Sequence, residues 1–107
     1  AVVIRLMLAT AKPAAAERKA VEKIMDELDA LLVDVDATAP DIGSLEGHDY
    51  GVPGECRLFL SCPDADALVK KLRPWLRQLQ WPGDVHVLKR YGNYRDAAAG
   101  EEPVPLP

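Results

Sequence analysis

Five residues capable of acid–base or charge chemistry fall within one short run: Glu46, His48, Tyr50, Glu55 and Arg57. In an extended chain alternate residues share a face. A tight turn at Gly51-Val52-Pro53-Gly54 would fold this run back on itself. With that turn, Tyr50 pairs with Glu55, His48 with Arg57 and Glu46 with Phe59, and directly paired residues point to the same side. Glu46, Glu55 and His48 then have the makings of an acid–base set, flanked by Tyr50 and Arg57. General acid–base catalysis needs such groups to converge in a concave pocket. A sheet face is shallow, and neither a nucleophile motif nor a phosphate-binding glycine loop accompanies them. No catalytic residue is assigned. Pairing of Arg57 with its acidic neighbours explains the same residue types.

The two histidines, His48 and His86, invite a metal reading. They fall on strands expected at opposite edges of a four-stranded sheet, three spacings or roughly 14 Å apart. A single ion cannot span that distance, so no metal site and no cofactor is expected. Cys56 and Cys62 fall on one strand, roughly 20 Å apart at about 3.3 Å per residue. A disulfide needs Cα atoms within about 7 Å, so both are read as free thiols, in keeping with a reducing, cytoplasmic setting.

The elements that must position these groups are legible from periodicity. Val2–Ala9 (VVIRLMLA) alternates like a strand, with Val2, Ile4, Leu6 and Leu8 on one face and Val3, Arg5 and Met7 on the other. Thr10 and Pro13 mark a helix start. Val21, Ile24, Met25, Leu28, Leu31 and Leu32 repeat at helical spacing and carry the helix from about Pro13 to Leu32. Residues 33–43 form a connector. Ser44–Tyr50 is a weaker strand and Glu55–Cys62 a strong one. Pro63, with Asp64 and Asp66 at the positive end, opens a second helix. Its stripe is Ala65, Leu68, Val69, Leu72, Trp75, Leu76 and Leu79. Pro74 lies inside it and predicts a kink. Asp84–Tyr91 is the last strand.

The order β-α-β-β-α-β predicts an α+β, ferredoxin-like domain over residues 1–92. It has a four-stranded antiparallel sheet with both helices on one face. Right-handed crossovers place the first and third strands in the centre. Residues 93–107, rich in Ala, Glu and Pro, are expected to be a flexible tail. Pro103–Pro107 favours polyproline II, without a basic anchor for a PxxP ligand.

The same residues carry a resemblance. The runs GHDYG, GECRLFL (Gly54–Leu60) and PDADAL (Pro63–Leu68), followed by Leu72-Arg73-Pro74, resemble small bacterial proteins of uncharacterised function. Those proteins have a Gly-rich turn, Gly-Glu before a strand ending in Leu-Phe, and a Pro-Asp-Ala-Asp helix start. The resemblance implies a ferredoxin-like fold and brings no activity with it.

Composition excludes several classes. With 107 residues and 49% apolar content, one ordinary core suffices. No apolar run approaches the roughly eighteen residues that span a membrane, and Ala1–Ala9 lacks the basic region and cleavage pattern of a signal peptide. The net charge is −4, which repels a phosphate backbone overall. Of the aromatics an RNA-binding sheet stacks on bases, the central strands offer Phe59 alone. Nucleic acid is therefore not an expected partner.

The open sheet face is left as the functional surface. Val3, Met7, Phe59 and Leu88 are expected to form an apolar patch there, ringed by charge, of the kind that something covers. The simplest occupant is a second copy of the chain, giving a non-enzymatic interaction module that homodimerises. The alternative is a small-molecule or anion site around Arg5, His48 and Arg57.

Overall fold

A computed structural model describes residues 1–32, 43–90 and 100–104. In chain order the elements are β1 (Val2–Met7), α1 (Ala15–Leu32), β2 (Ser44–Asp49), β3 (Glu55–Ser61), α2 (Ala65–Gln78), β4 (Val85–Arg90) and β5 (Glu101–Val104). The fold is mixed α+β: two helices and one antiparallel sheet of five strands in the order β2-β3-β1-β4-β5. No described helix is long and apolar enough to cross a membrane.

Each helix start has a local cause. At α1 the Glu17 carboxylate reaches back to accept from the Ala14 N–H at 2.9 Å and the Ala9 N–H at 3.1 Å. Glu17 is the third helical residue, where such a return contact satisfies amides that have no intrahelical partner. At α2 Asp64 is the cap, its Oδ1 accepting from Asp66 at 3.0 Å and Ala67 at 3.3 Å. The helix continues through Pro74 to Gln78, as expected from the stripe on either side of that proline.

One core joins both helices to one sheet face. Val2, Ile4 and Leu6 of β1 oppose Leu60, Leu58 and Cys56 of β3. They pack in a single buried cluster with Val21, Ile24 and Leu28 of α1 and Leu68, Val69 and Leu72 of α2. Truncating Ile4 or Leu58, both fully buried, to Ala would cost about 2–5 kcal/mol.

Two expectations need correction. The sheet has five strands rather than four. Glu101–Val104 lies within the stretch read as a tail, yet pairs antiparallel with β4, Val104 opposite Val87 and Pro103 opposite Leu88. Val104 is buried there, joining the core cluster at 7% exposure. Proline is tolerated because β5 is an edge strand, where a missing N–H need not break a ladder. Residues 93–99 and 105–107 of the expected tail, residue 91 at the end of the expected last strand, residue 92, and residues 33–42 of the connector lie outside the described residues.

The second correction is register. Leu45 opposes Leu60, as expected, but a bulge follows, and Gly47, His48 and Asp49 then oppose Phe59, Leu58 and Arg57. One extra residue near Glu46 shifts every later side chain to the opposite face. His48 therefore stands on the helix side of the sheet. Its ring meets Tyr50 edge-on, with centroids 5.5 Å apart, and Tyr50 in turn lies 5.1 Å beneath the Arg18 guanidinium of α1.

Candidate functional site on the open sheet face

The ladder arranges the open face in rows. One row crosses all five strands and is apolar: Gly47, Phe59, Val3, Leu88 and Pro103. The next row is polar: Asp49, Arg57, Arg5 and His86. Glu55 and Met7 oppose each other one row further. Val3, Phe59 and Leu88 are thus brought together, and Met7 is not. The Arg57–Arg5–His86 row separates it from the other three. Val3 is fully buried and Leu88 is 8% exposed, whereas Phe59 and Met7 are half-buried.

Arg5 and Arg57, also expected on this face, do meet. They face each other in register and share the Glu55 carboxylate. Arg5 donates from Nε at 2.8 Å and from Nη2 at 2.5 Å to Oε2, and Arg57 donates from Nε at 2.6 Å to Oε1. The Glu55 side chain is 2% exposed, against 30% for Arg5 and 26% for Arg57. Burial pushes the Glu55 carboxyl up, but the hydrogen bonds and charges of the two arginines outweigh it and hold it below the ordinary carboxylate range. The carboxylate orients two planar forks, and their remaining N–H groups are directed elsewhere.

The acid–base set of Glu46, Glu55 and His48 is dispersed. Glu46 accepts from Ser44 Oγ at 2.7 Å and Ser61 Oγ at 2.6 Å. Glu55 is engaged by the arginines, and His48 is on the far face. The two histidines lie on opposite sides of the sheet. Among the described residues no three His, Cys, Asp or Glu side chains converge as metal ligands would.

Cys56 is buried and Cys62 half-buried, both unbridged. Burial pushes the Cys56 thiol up to about 11 even though the Tyr50 hydroxyl donates to its sulfur, and burial pushes Tyr50 up to about 12. A thiol so rarely ionised is a poor nucleophile; it packs as a small apolar side chain.

Two residues of the site escaped the sequence reading. Beside Arg5 an open pocket of about 320 Å³ is lined by His86, Leu88, Pro103 and Val104. Alternation along β4 already puts His86 on the open face with Arg5, but its distance from His48 drew attention to metals instead. Pro103 carried no signal, because nothing in Glu-Glu-Pro-Val reads as a strand. A second groove of about 380 Å³ runs between α1 and α2, where Trp75 Nε1 donates to Glu27 Oε2 at 3.3 Å.

Comparison with protein-family models, with curated proteins and with solved structures returns no match.

Proposed function

We propose that the protein is a non-enzymatic binding module whose open sheet face receives an anionic group, with Arg5 and Arg57 as donors. The observation that carries this reading is the shared Glu55 carboxylate, which fixes two guanidinium forks side by side at partial exposure. Pre-orientation lowers the entropy cost of gripping a carboxylate or phosphate. His48, the third residue of the expected anion site, is replaced on this face by His86. The first six elements are read as a ferredoxin-like unit to which β5 adds an edge strand. The setting is read as cytoplasmic, in keeping with two unbridged cysteines.

The test is a titration of the ¹⁵N-labelled protein with sodium acetate against sodium chloride at constant ionic strength. Saturable shifts at the Nε–H signals of Arg5 and Arg57 support the reading. Shifts equal in the two salts sink it.

A second reading draws on the continuity of the apolar row across all five strands. In it, a second copy of the chain covers the open face. Val3 and Leu88 are already buried, so Phe59 and Pro103 supply the apolar contact, bordered on one side by Arg5 and Arg57. Phe59 anchors it, and Phe59→Glu yields a folded monomer. Sedimentation of the wild type as a monomer at high micromolar concentration rules this reading out.

A further inference from the structure

The groove between α1 and α2 lies on the side of the sheet opposite to Arg5 and Arg57. We infer that it is a site for a neutral sugar ring, whose C–H face lies against Trp75 and whose hydroxyls reach the rim. This goes beyond the anion-binding reading and does not depend on it. The floor of the groove is apolar, with Ile24 buried in the core and Leu79 half-buried against it. Trp75 forms one wall, half-buried against the same core. Its Nε1–H is given to Glu27 Oε2 across the groove at 3.3 Å. The indole is thus tethered by its polar edge and leaves carbon surface to the groove. The face of an aromatic ring is the negative side of its quadrupole, which favours polarised C–H groups.

The rim selects the occupant. Lys23, Glu27 and Gln78 are exposed there. Apart from the Trp75 contact, their side chains make no hydrogen bond or ion pair among the described residues. Lysine only donates, glutamate only accepts and the glutamine amide does both. Lys23 and Glu27 are the charged groups of the lining, so their charges cancel. An ionic ligand would oppose one of the two, and a wholly apolar one would take both out of water unpaired. A hydroxyl donates and accepts, so a ring bearing several serves ammonium, carboxylate and amide together while its C–H face covers the indole. The volume of about 380 Å³ lies within the range of small-molecule sites, roughly 300–1,000 Å³.

The probes are the methyl glycosides of glucose, galactose and mannose, with glycerol, cyclohexanol and adenosine as comparators, each titrated into the ¹⁵N-labelled full chain. At least one glycoside is expected to give saturable shifts at the Trp75 Nε1–H. The Trp81 Nε1–H, held by the Met7 carbonyl outside the groove, should stay unmoved. The glycoside should bind at least tenfold more tightly than glycerol, which lacks the ring, and than cyclohexanol, which lacks the array of hydroxyls. Affinity equal to that of either comparator overturns the inference. So does the absence of a saturable Trp75 shift with every glycoside, or equal shifts at both indoles. Adenosine binding more tightly than every glycoside would make the occupant a nucleobase and also overturns it. Trp75 is packed against the core, so the variant of choice is the double change Glu27→Ala and Gln78→Ala, at exposed helical positions where alanine is a good helix former. It should keep the wild-type circular dichroism and weaken glycoside binding at least tenfold, read at the Ile24 and Leu79 amides because the loss of Glu27 itself moves the Trp75 signal. A folded double variant that binds the glycoside as the wild type does removes the rim from the site and the inference with it.

Discussion

Arg5 and Glu55, fifty residues apart in sequence, are joined by two hydrogen bonds to a single carboxylate oxygen, at 2.8 and 2.5 Å. They are not direct partners in the ladder; Arg5 opposes Arg57, and Glu55 opposes Met7. The contact is thus diagonal, made possible by the length of the arginine. It sets two like charges side by side and holds them there with a third group. Removing the third group is the most informative perturbation of the open face.

Glu55→Gln is expected to lower stability at neutral pH by about 1–3 kcal/mol, a range reduced from the cost of breaking a fully buried pair because both arginines remain partly exposed. The sign with pH follows from the depressed carboxyl. Its stabilisation is complete above the unfolded value of about 4.3 and is lost as pH falls through the lower folded value. Urea unfolding of both proteins should therefore give a gap that is constant near neutrality and closes in acid. A gap that widens in acid contradicts the arrangement.

Pro74→Ala should raise stability. Proline at an exposed position inside α2 lacks the N–H that would bond back one turn. Proline in a helix interior costs about 3 kcal/mol against alanine, which sets the upper limit of the gain. Thermal melts suffice to check it. A lower melting temperature for the variant would mean that proline at this position is needed to seat Trp75 and Leu76 against the core.

Gly83→Ala should be destabilising, by about 1–3 kcal/mol. A Cβ there would stand 2.4 Å from the Met7 carbonyl oxygen, the same oxygen that accepts from Trp81 Nε1 at 2.9 Å. Backbone cannot yield as a flexible side chain does. Denaturant titration, with Trp fluorescence as the probe, reports both the loss and any change at Trp81.

Thiol labelling should distinguish the cysteines. In the native protein at pH 8 Cys62 is expected to react and Cys56 to resist, since Cys56 is wholly buried and, with its thiol pushed up to about 11, is ionised in about one molecule per thousand. In urea both should react. Rapid labelling of two thiols in the folded state would show that β3 is not packed as described.

What the sequence discloses about this fold is periodic. Val2, Ile4 and Leu6 repeat every second residue, and Leu68, Val69, Leu72 and Leu76 repeat at helical spacing; burial of one face imposes both patterns, so strands and helices could be placed. Register is different. The bulge between Leu45 and Gly47 leaves no mark in residue type, and it alone moves His48 across the sheet. Arg5 and Arg57 kept their expected face because they belong to β1 and β3, whose pairing is regular. β5 was illegible because its four residues include two glutamates and a proline, types depleted in strands, and because one buried side chain, Val104, is too little to set a period. The pocket inherits that blindness, since Pro103 and Val104 make one of its walls.

The central place of β1 has a consequence for how the chain comes into being. Its hydrogen-bonding partners are β3 and β4, so Val2 waits for Leu60 on one side and Lys89 on the other. During synthesis VVIRLM is made before either of its partner strands. The β2–β3 hairpin can close from neighbouring residues, while β1 must be recruited across long loops whose closure is entropically slow. Until β4 is made, an apolar strand has an unsatisfied edge, the condition that invites self-association. A fragment ending at Trp81 should therefore leave the Val2–Met7 amides open to hydrogen exchange and aggregate more readily than the full chain. Protection of those amides in the fragment would mean that β1 and β3 assemble without β4.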